Sequence, residues 1–213
     1  MFKIFQNRNL PKRSLAEIKH VARILFIDDH KFKLIDILKS SGWQTVQWIK
    51  DVESISCTEI DDAHIILVDI QGVGKKMNFH DEGLGLTIAI KEKYPEKKVI
   101  TYSSEEAGKI AAFHEGLSKA DSAISKNADP YQFEKAIEKH AQELYSLDEC
   151  VARIEKIITN ELGYSPEHAQ IRKALSKLKK KKSIDPETVN SVLKISGSAA
   201  TLITSIVKIF FTN

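Results

Sequence analysis

The sequence predicts an α/β fold on a parallel sheet. Short runs such as "RILFID" (residues 23–28) and "HIILVDI" (64–70) are apolar almost throughout, and amphipathic stretches lie between them. Strands apolar on both faces are covered on both faces, and strands separated by helices pair in parallel through right-handed crossovers. After the first strand, "HKFKLIDILKSSG" places Phe32, Ile35 and Leu38 on one helical face and stops at Gly42. "WQTVQWI" reads as a second strand, followed by a helical piece around "VESISCTEI". The third strand is "HIILVDI", and "GLGLTIAIKEKYP" is a helix ended by Pro95. "KKVITYSS" is the fourth strand, "EEAGKIAAFHEG" a helix closed by Gly116, and "SAIS" the fifth strand. "DPYQFEKAIEKHAQEL" completes the pattern as a helix with Asp129 as its cap and Pro130 in its first position.

The remaining residues carry no strand pattern. Three helices are expected there: "LDECVARIEKIITNEL" closed by Gly163, "SPEHAQIRKALSKLKKKK" started by Ser165 and Pro166, and "DPETVNSVLKISGSAATLITSIVKIFF" started by Asp185 and Pro186. The expected division is an N-terminal extension over 1–21, an α/β domain over 22–147 and an all-α region over 148–213.

At 213 residues the chain is long enough for one buried domain with an appendage or for two small ones. An apolar fraction of 42% and a charged fraction of 29% exclude extensive disorder. Cys57 and Cys150 are too far apart in sequence, and too few, to read as a disulfide framework or a zinc site, so a reducing cytoplasm is the expected location. No export signal is expected, because Asn7, Arg8, Lys12 and Arg13 interrupt the apolar character of the N-terminus. Charge is shared unevenly. From Glu149 onward 11 basic residues face 6 acidic ones, whereas 21 face 23 before it, so the tail is the basic part.

In a doubly wound sheet, ligands bind beyond the carboxyl ends of the strands. Asp28 and Asp29 end the first strand, Asp69 the third and Ser103 the fourth, and Lys126 follows the fifth. An Asp at a strand end is by itself an ordinary turn former, but this conjunction is rarer. Three neighbouring carboxylates repel one another unless a cation neutralises them. Mg²⁺ suits the task, since it takes one or two carboxylates and keeps its other positions for water and phosphate oxygens. Lys126 and Ser103 then supply an ammonium and a hydroxyl to phosphoryl oxygens.

The motifs "ILFIDD", "IILVD", "VITYSS" and "SAISK", in this order across roughly residues 22–146, resemble the receiver domain of two-component response regulators. The resemblance implies a flavodoxin-like, CheY-like (βα)5 fold. It also implies that Asp69 is the phosphoacceptor for a phosphohistidine on a sensor histidine kinase or a phosphotransfer protein. Asp29 and Asp69 would bind Mg²⁺ directly, Asp28 largely through water, and the backbone carbonyl of Gln71 would be a further ligand. Ser103 would be the switch hydroxyl and Lys126 its ion-pair partner. Three positions depart from the family pattern. The loop "QGVGKKMNFHDE" is about six residues longer than usual and could be a lid or a partner surface. Ala123 replaces the usual mobile aromatic, which would mute coupling to the later helices. Asn127 replaces the usual proline after Lys126, so that turn must be strained or differently built, because a cis bond without proline costs about 3 to 4 kcal/mol.

Other signals are weaker. "GLGLTIA" resembles a dinucleotide fingerprint but has Ile88 at the third glycine position and does not follow the first strand. The seven histidines show no metal-ligand spacing, and Trp43 and Trp48 read as packing residues. In the last predicted helix, Val189, Val192, Leu193, Ala199, Ala200, Ile203, Ile206, Val207 and Phe210 form one apolar stripe. Its partner would be the other tail helices or a second copy in a homodimer, a membrane surface beside the basic "RKALSKLKKKK", or, least favoured, nucleic acid. The expectation is therefore a cytoplasmic response regulator, with peripheral membrane location as an alternative. It would be phosphorylated on Asp69 with Mg²⁺, would act as no enzyme beyond its own phosphorylation and dephosphorylation, and would switch the contacts of its tail. The alternative is a receiver-shaped interaction module that is not phosphorylated.

Overall fold

A computed structural model describes residues 10–104 and 115–212. The elements in chain order are α1 (Leu15–Val21), β1 (Arg23–Ile27), α2 (Leu34–Ser40), β2 (Thr45–Ile49), α3 (Thr58–Asp62), β3 (Ile65–Asp69), a 3₁₀ turn (Lys75–Met77), α4 (Glu82–Lys93) and β4 (Lys98–Ser103). They continue with α5 (Glu115–Lys119), β5 (Ser122–Ser125), α6 (Pro130–Tyr145), α7 (Leu147–Leu162), α8 (His168–Leu178), α9 (Pro186–Leu193) and α10 (Gly197–Phe211). The helix expected over 105–116 lies outside the described residues except for its last two positions, which belong to α5.

The five strands form one parallel sheet in the order β2-β1-β3-β4-β5, as the flavodoxin-like reading requires. Ile24, Leu25, Phe26 and Ile27 pair with Ile65, Ile66, Leu67 and Val68, and all eight are buried. Chain contacts divide the protein into two compact units: Leu15–Gln142, and Glu143–Asn213 together with the described part of Met1–Ser14. The segment expected to be a plain extension is thus shared between them. Its helix α1 belongs to the sheet unit, where the Lys19 ammonium meets Glu134 at 3.0 Å and Glu138 at 2.8 Å on α6.

The amino-terminal edge of the sheet is fastened by two buried residues, His64 through main chain and ring and Lys97 through its ammonium. His64 donates its amide to the Arg23 carbonyl at 2.9 Å, accepts the Arg23 amide on Nδ1 at 3.3 Å, and offers its own carbonyl to Lys98 at 3.0 Å. The Lys97 ammonium donates to the carbonyls of Ile60, Asp61 and Ala63 at 2.5 to 2.7 Å, closing the carboxyl end of α3. That helix covers only 58–62, shorter than the piece expected around 52–60, because Cys57 is extended and serves as its N-cap.

In the second unit α7 begins at Ser146, whose hydroxyl accepts the Glu149 amide, and ends at Gly163 with φ of 71°. The next helix starts at His168, three residues later than Ser165 suggested; Ser165 and His168 instead both bond the Glu155 carboxylate on α7. It ends at Leu178, before the run Lys179–Lys182. The single last helix expected from sequence is two helices. Lys194 closes α9 with φ of 59°, and α10 leaves at a bend of 102°. The apolar stripe is covered inside this unit: Val189, Ala199, Ala200, Ile203, Val207 and Phe210 pack with Val151, Ile154, Ile171 and Leu175, with Leu10 from the N-terminal segment. The homodimer and membrane readings therefore lose the open stripe that they invoked. Among the described residues no single helix is long and apolar enough to cross a membrane.

Burial, with the charges of Arg23 and Lys97, lowers the His64 pKa from 6.5 to about 3. A folded-state value below the unfolded one contributes stability that is complete above pH 6.5 and is lost as pH falls toward 3, where the unfolded chain binds the extra proton. Urea titrations at pH 7 and pH 4 are expected to show a smaller acid-induced loss in His64→Asn than in the parent, by on the order of a few kcal/mol. Equal losses would contradict the assignment.

Candidate functional site

The strand order reverses direction between β1 and β3, so the crevice beyond their carboxyl ends is the binding position that the topology favours. Asp28 and Asp29 stand at the end of β1 and Asp69 at the end of β3, on either side of it. Asp28 is completely buried and Asp69 is 4% exposed. Two such carboxylates are tolerated only if donors replace the water they have lost. Lys126, just past β5, supplies the charge: its ammonium lies 2.6 Å from Asp69 Oδ2 and 3.1 Å from Asp28 Oδ2. Thus Asp28, Asp69 and Lys126 come together as the sequence indicated.

Each partner responds to the others. Burial pushes the Asp69 carboxyl up, the Lys126 hydrogen bond and charge pull against it, the Asp28 charge adds to burial, and the net direction is upward. For Lys126, burial disfavours the ammonium, but the hydrogen bonds and charges of Asp69 and Asp28 outweigh it and raise the pKa. Asp29 is more open. Its burial is overcome by the hydrogen bond and charge of His30, so its pKa falls.

The remaining contacts decide which oxygens are engaged. Asp28 Oδ1 accepts the His30 amide at 2.9 Å, and Oδ2 accepts the Tyr102 hydroxyl at 2.8 Å beside Lys126. The Trp48 indole N–H donates to the Asp28 carbonyl at 2.8 Å, so this tryptophan positions the site as well as packing. Asp29 Oδ1 meets His30 Nδ1 at 2.8 Å. Gln71 is placed by its amide, which reaches Asp69 Oδ1 at a long 3.4 Å. Ser103 is buried, and its carbonyl accepts the Lys126 amide at 2.6 Å; among the described residues no hydrogen bond joins its hydroxyl to Asp69.

Tyr102, Trp48 and His30 are the contributors that sequence reasoning missed. The strand register could have flagged Tyr102, since it pairs directly with Asp69 across β3 and β4. The turn after Lys126 is built without a cis bond: Ser125 accepts the Asn127 amide on its hydroxyl at 3.2 Å and the Ala128 amide on its carbonyl at 2.9 Å. Ala123 is exposed on β5.

The long loop after Asp69 is anchored. The Asp51 carboxylate accepts the amides of Gly74 at 2.5 Å and Lys76 at 3.0 Å, Glu82 accepts the Gly72 amide at 2.5 Å, and Val73 is buried in the sheet core. Gly72, with φ of 87°, lies so close to Asp29 that a Cβ there would fall 2.6 Å from the carboxylate. A Cβ on Gly83 would lie 1.9 Å from the Asp69 carbonyl, which makes the first turn of α4 a wall of the site.

These residues fit a hard divalent ion. Ligand atoms of Asp28, Asp29 and His30 lie within 4.8 Å of one another, and three carboxylates against one ammonium leave a formal excess of two negative charges. The carboxylates of Asp28 and Asp29 are oxygen donors of the kind Mg²⁺ prefers, whereas His30 offers a nitrogen. Asp69, which the sequence reading put among the direct ligands, lies outside this group on the Lys126 ammonium.

No family model matches the chain, and no curated protein matches it. Among solved structures it is similar to the receiver domain of NtrX from Brucella abortus, at 24% identity over 56% of this chain and 98% of that one, with a TM-score of 0.46. It is also similar to a CheY-like response regulator receiver domain protein from Methanospirillum hungatei JF-1, at 21% over 58% and 96%, TM-score 0.44. The receiver domain of AraT, a response regulator from Geobacillus stearothermophilus, matches at 20% over 59% and 96%, TM-score 0.46. The fold assignment itself stands on the strand order and register.

The approach of α4 gives a test of how the site is walled. Gly83→Ala is expected to cost about 2 kcal/mol or more in urea unfolding, because backbone must move. Gly85→Ala, whose new atom would meet only the Phe79 side chain at 3.1 Å, is expected to cost less than about 1 kcal/mol. Equal costs would contradict the close approach.

Proposed function

We propose that the Leu15–Gln142 unit is a receiver that accepts a phosphoryl group on Asp69 from a phosphohistidine of a histidine kinase or phosphotransfer protein. The observation that carries this reading is the Lys126 ammonium held between the buried carboxylates of Asp28 and Asp69 beside the crevice of the sheet. Oδ2 of Asp69 is engaged by Lys126, whereas Oδ1 has only the long contact from Gln71, so Oδ1 is the nucleophile. It forms the new O–P bond as the P–N bond of the donor breaks, and the imidazole leaves with the electron pair and takes a proton from solvent. Lys126 balances the charge brought to the strand ends, and the buried Ser103 hydroxyl is the group available at the end of β4 to follow the phosphoryl oxygens. Asp29, Asp69 and the Gln71 carbonyl, with Asp28 through water, would hold Mg²⁺, which when bound neutralises the phosphoryl oxygens. The only reaction catalysed is the gain and slow loss of this group, and the helical unit reads it out by changing its contacts with a partner. The cytoplasm is the compartment consistent with two free thiols.

A receiver-shaped module without phosphorylation is the second reading, favoured by the exposed Ala123 where an aromatic would relay the signal. Incubation with phosphoramidate and Mg²⁺, followed by intact mass measurement, separates the two. One added phosphoryl group is expected on the parent, lost on chelation of Mg²⁺ and in Asp69→Asn, and formed at least tenfold more slowly in Lys126→Ala. An unmodified parent would sink the first reading.

A further inference from the structure

Tyr102 is a buried phenol that neither the sheet nor the proposed phosphoryl chemistry requires. Its ring is stacked on Phe32 at 5.5 Å between centroids and 15° between planes, and edge-on to Phe133 at 5.9 Å and Phe26 at 6.3 Å. Aromatic contacts on three sides hold the ring in one orientation. That orientation aims the hydroxyl at Asp28 Oδ2, at 2.8 Å. The Lys126 ammonium lies 5.5 Å from the centre of the same ring, within reach of its negative face. Burial, and then the Asp28 charge, raise the phenol pKa, so it remains a donor.

With the His30 amide on Oδ1 and Tyr102 and Lys126 on Oδ2, every oxygen of Asp28 faces a donor from the protein itself. A carboxylate whose charge is drawn off by a fixed donor has less to offer an incoming cation. We propose that Tyr102 is a positioning residue that keeps Asp28 turned toward the protein and thereby weakens the divalent-ion affinity of the strand-end cluster. This rests on the proposed cation site. Unlike Asp29 and Asp69, Tyr102 touches neither the ion nor the phosphoryl group; it acts through Asp28. The consequence is a receiver whose loading by Mg²⁺ is set by one hydroxyl on β4, which the stacked Phe32 ring keeps on Asp28.

Isothermal titration with MgCl₂ tests this on the full chain, with Tyr102→Phe compared with the parent and with Phe133→Leu, which loosens the same cluster without touching a carboxylate. Tyr102→Phe is expected to bind Mg²⁺ roughly tenfold tighter although it melts at a lower temperature, while Phe133→Leu melts lower with unchanged affinity. Equal or weaker affinity in Tyr102→Phe, with the parent still binding, overturns the role of Tyr102 and leaves the receiver reading intact. A parent that binds no Mg²⁺ overturns both. Should Tyr102→Phe fail to fold, the tyrosine near-ultraviolet difference spectrum of the parent decides: a shift on Mg²⁺ addition is expected as Asp28 shares its charge, and an unchanged spectrum overturns the proposal.

Discussion

The ammonium of Lys126 between Asp28 and Asp69 is the constraint on which the rest of the site depends. Removing two carboxylates from water costs several kcal/mol each in real proteins, and an ion pair repays this only when the geometry is good and the other lone pairs are also satisfied. Here the geometry is good and the other donors are present: the His30 amide, the Tyr102 hydroxyl and the Gln71 amide. The arrangement is nonetheless incomplete. One cation serves three acidic groups, and the third, Asp29, is left more open beside Gly72. The unbalanced charge at this sheet edge is what the proposed function would meet with a further positive centre and the anionic group that accompanies it.

The surrounding backbone closes in on the same carboxylates. Gly72 and Gly83 let main chain come within a side chain's thickness of Asp29 and Asp69, so the walls of the crevice are peptide groups that cannot swing away. The extra residues after Asp69 are tied down by Asp51 and Glu82 and contribute Val73 to the core. A lid that opens and closes would leave such carboxylates without their amide partners. The loop is better understood as a fixed enlargement of the rim, and it gives the face around Asp69 a shape that a shorter connection would not have.

Much of this was legible in the sequence because the signals were local. Wholly apolar runs fixed the strands, and polar residues directly after them fixed which side chains reach the edge, so Asp28, Asp29, Asp69 and Lys126 could be named before any coordinate. What escaped depends on contacts remote in sequence. Tyr102 reads as one more apolar residue of β4, and only the register with Asp69 and the arrival of Phe32 and Phe133 turn its hydroxyl toward Asp28. Trp48 likewise looks like packing until β2 lies beside β1. In the tail, the stripe was read correctly as apolar but its helix as continuous. Lys194 in a left-handed conformation is unfavourable for a lysine in isolation, and it is stabilised by the core that Ile195, Val189 and Ile203 build around the bend. Helix α1 was missed because its seven residues are held by Lys19 on Glu134 and Glu138, partners over a hundred positions away.

Under the proposed function the Lys126 ammonium holds the positive charge between Asp28 and Asp69 that a metal ion would share when a phosphoryl group arrives. The most direct measurement is a crystal structure grown with Mn²⁺ and beryllium fluoride, using the anomalous signal to place the ion. The expected result is one anomalous peak against Asp29 and Asp69, beryllium fluoride on Asp69, and the Lys126 ammonium moved from the Asp69 carboxylate to fluorine. An empty strand edge, with Lys126 still bridging Asp28 and Asp69, would contradict it.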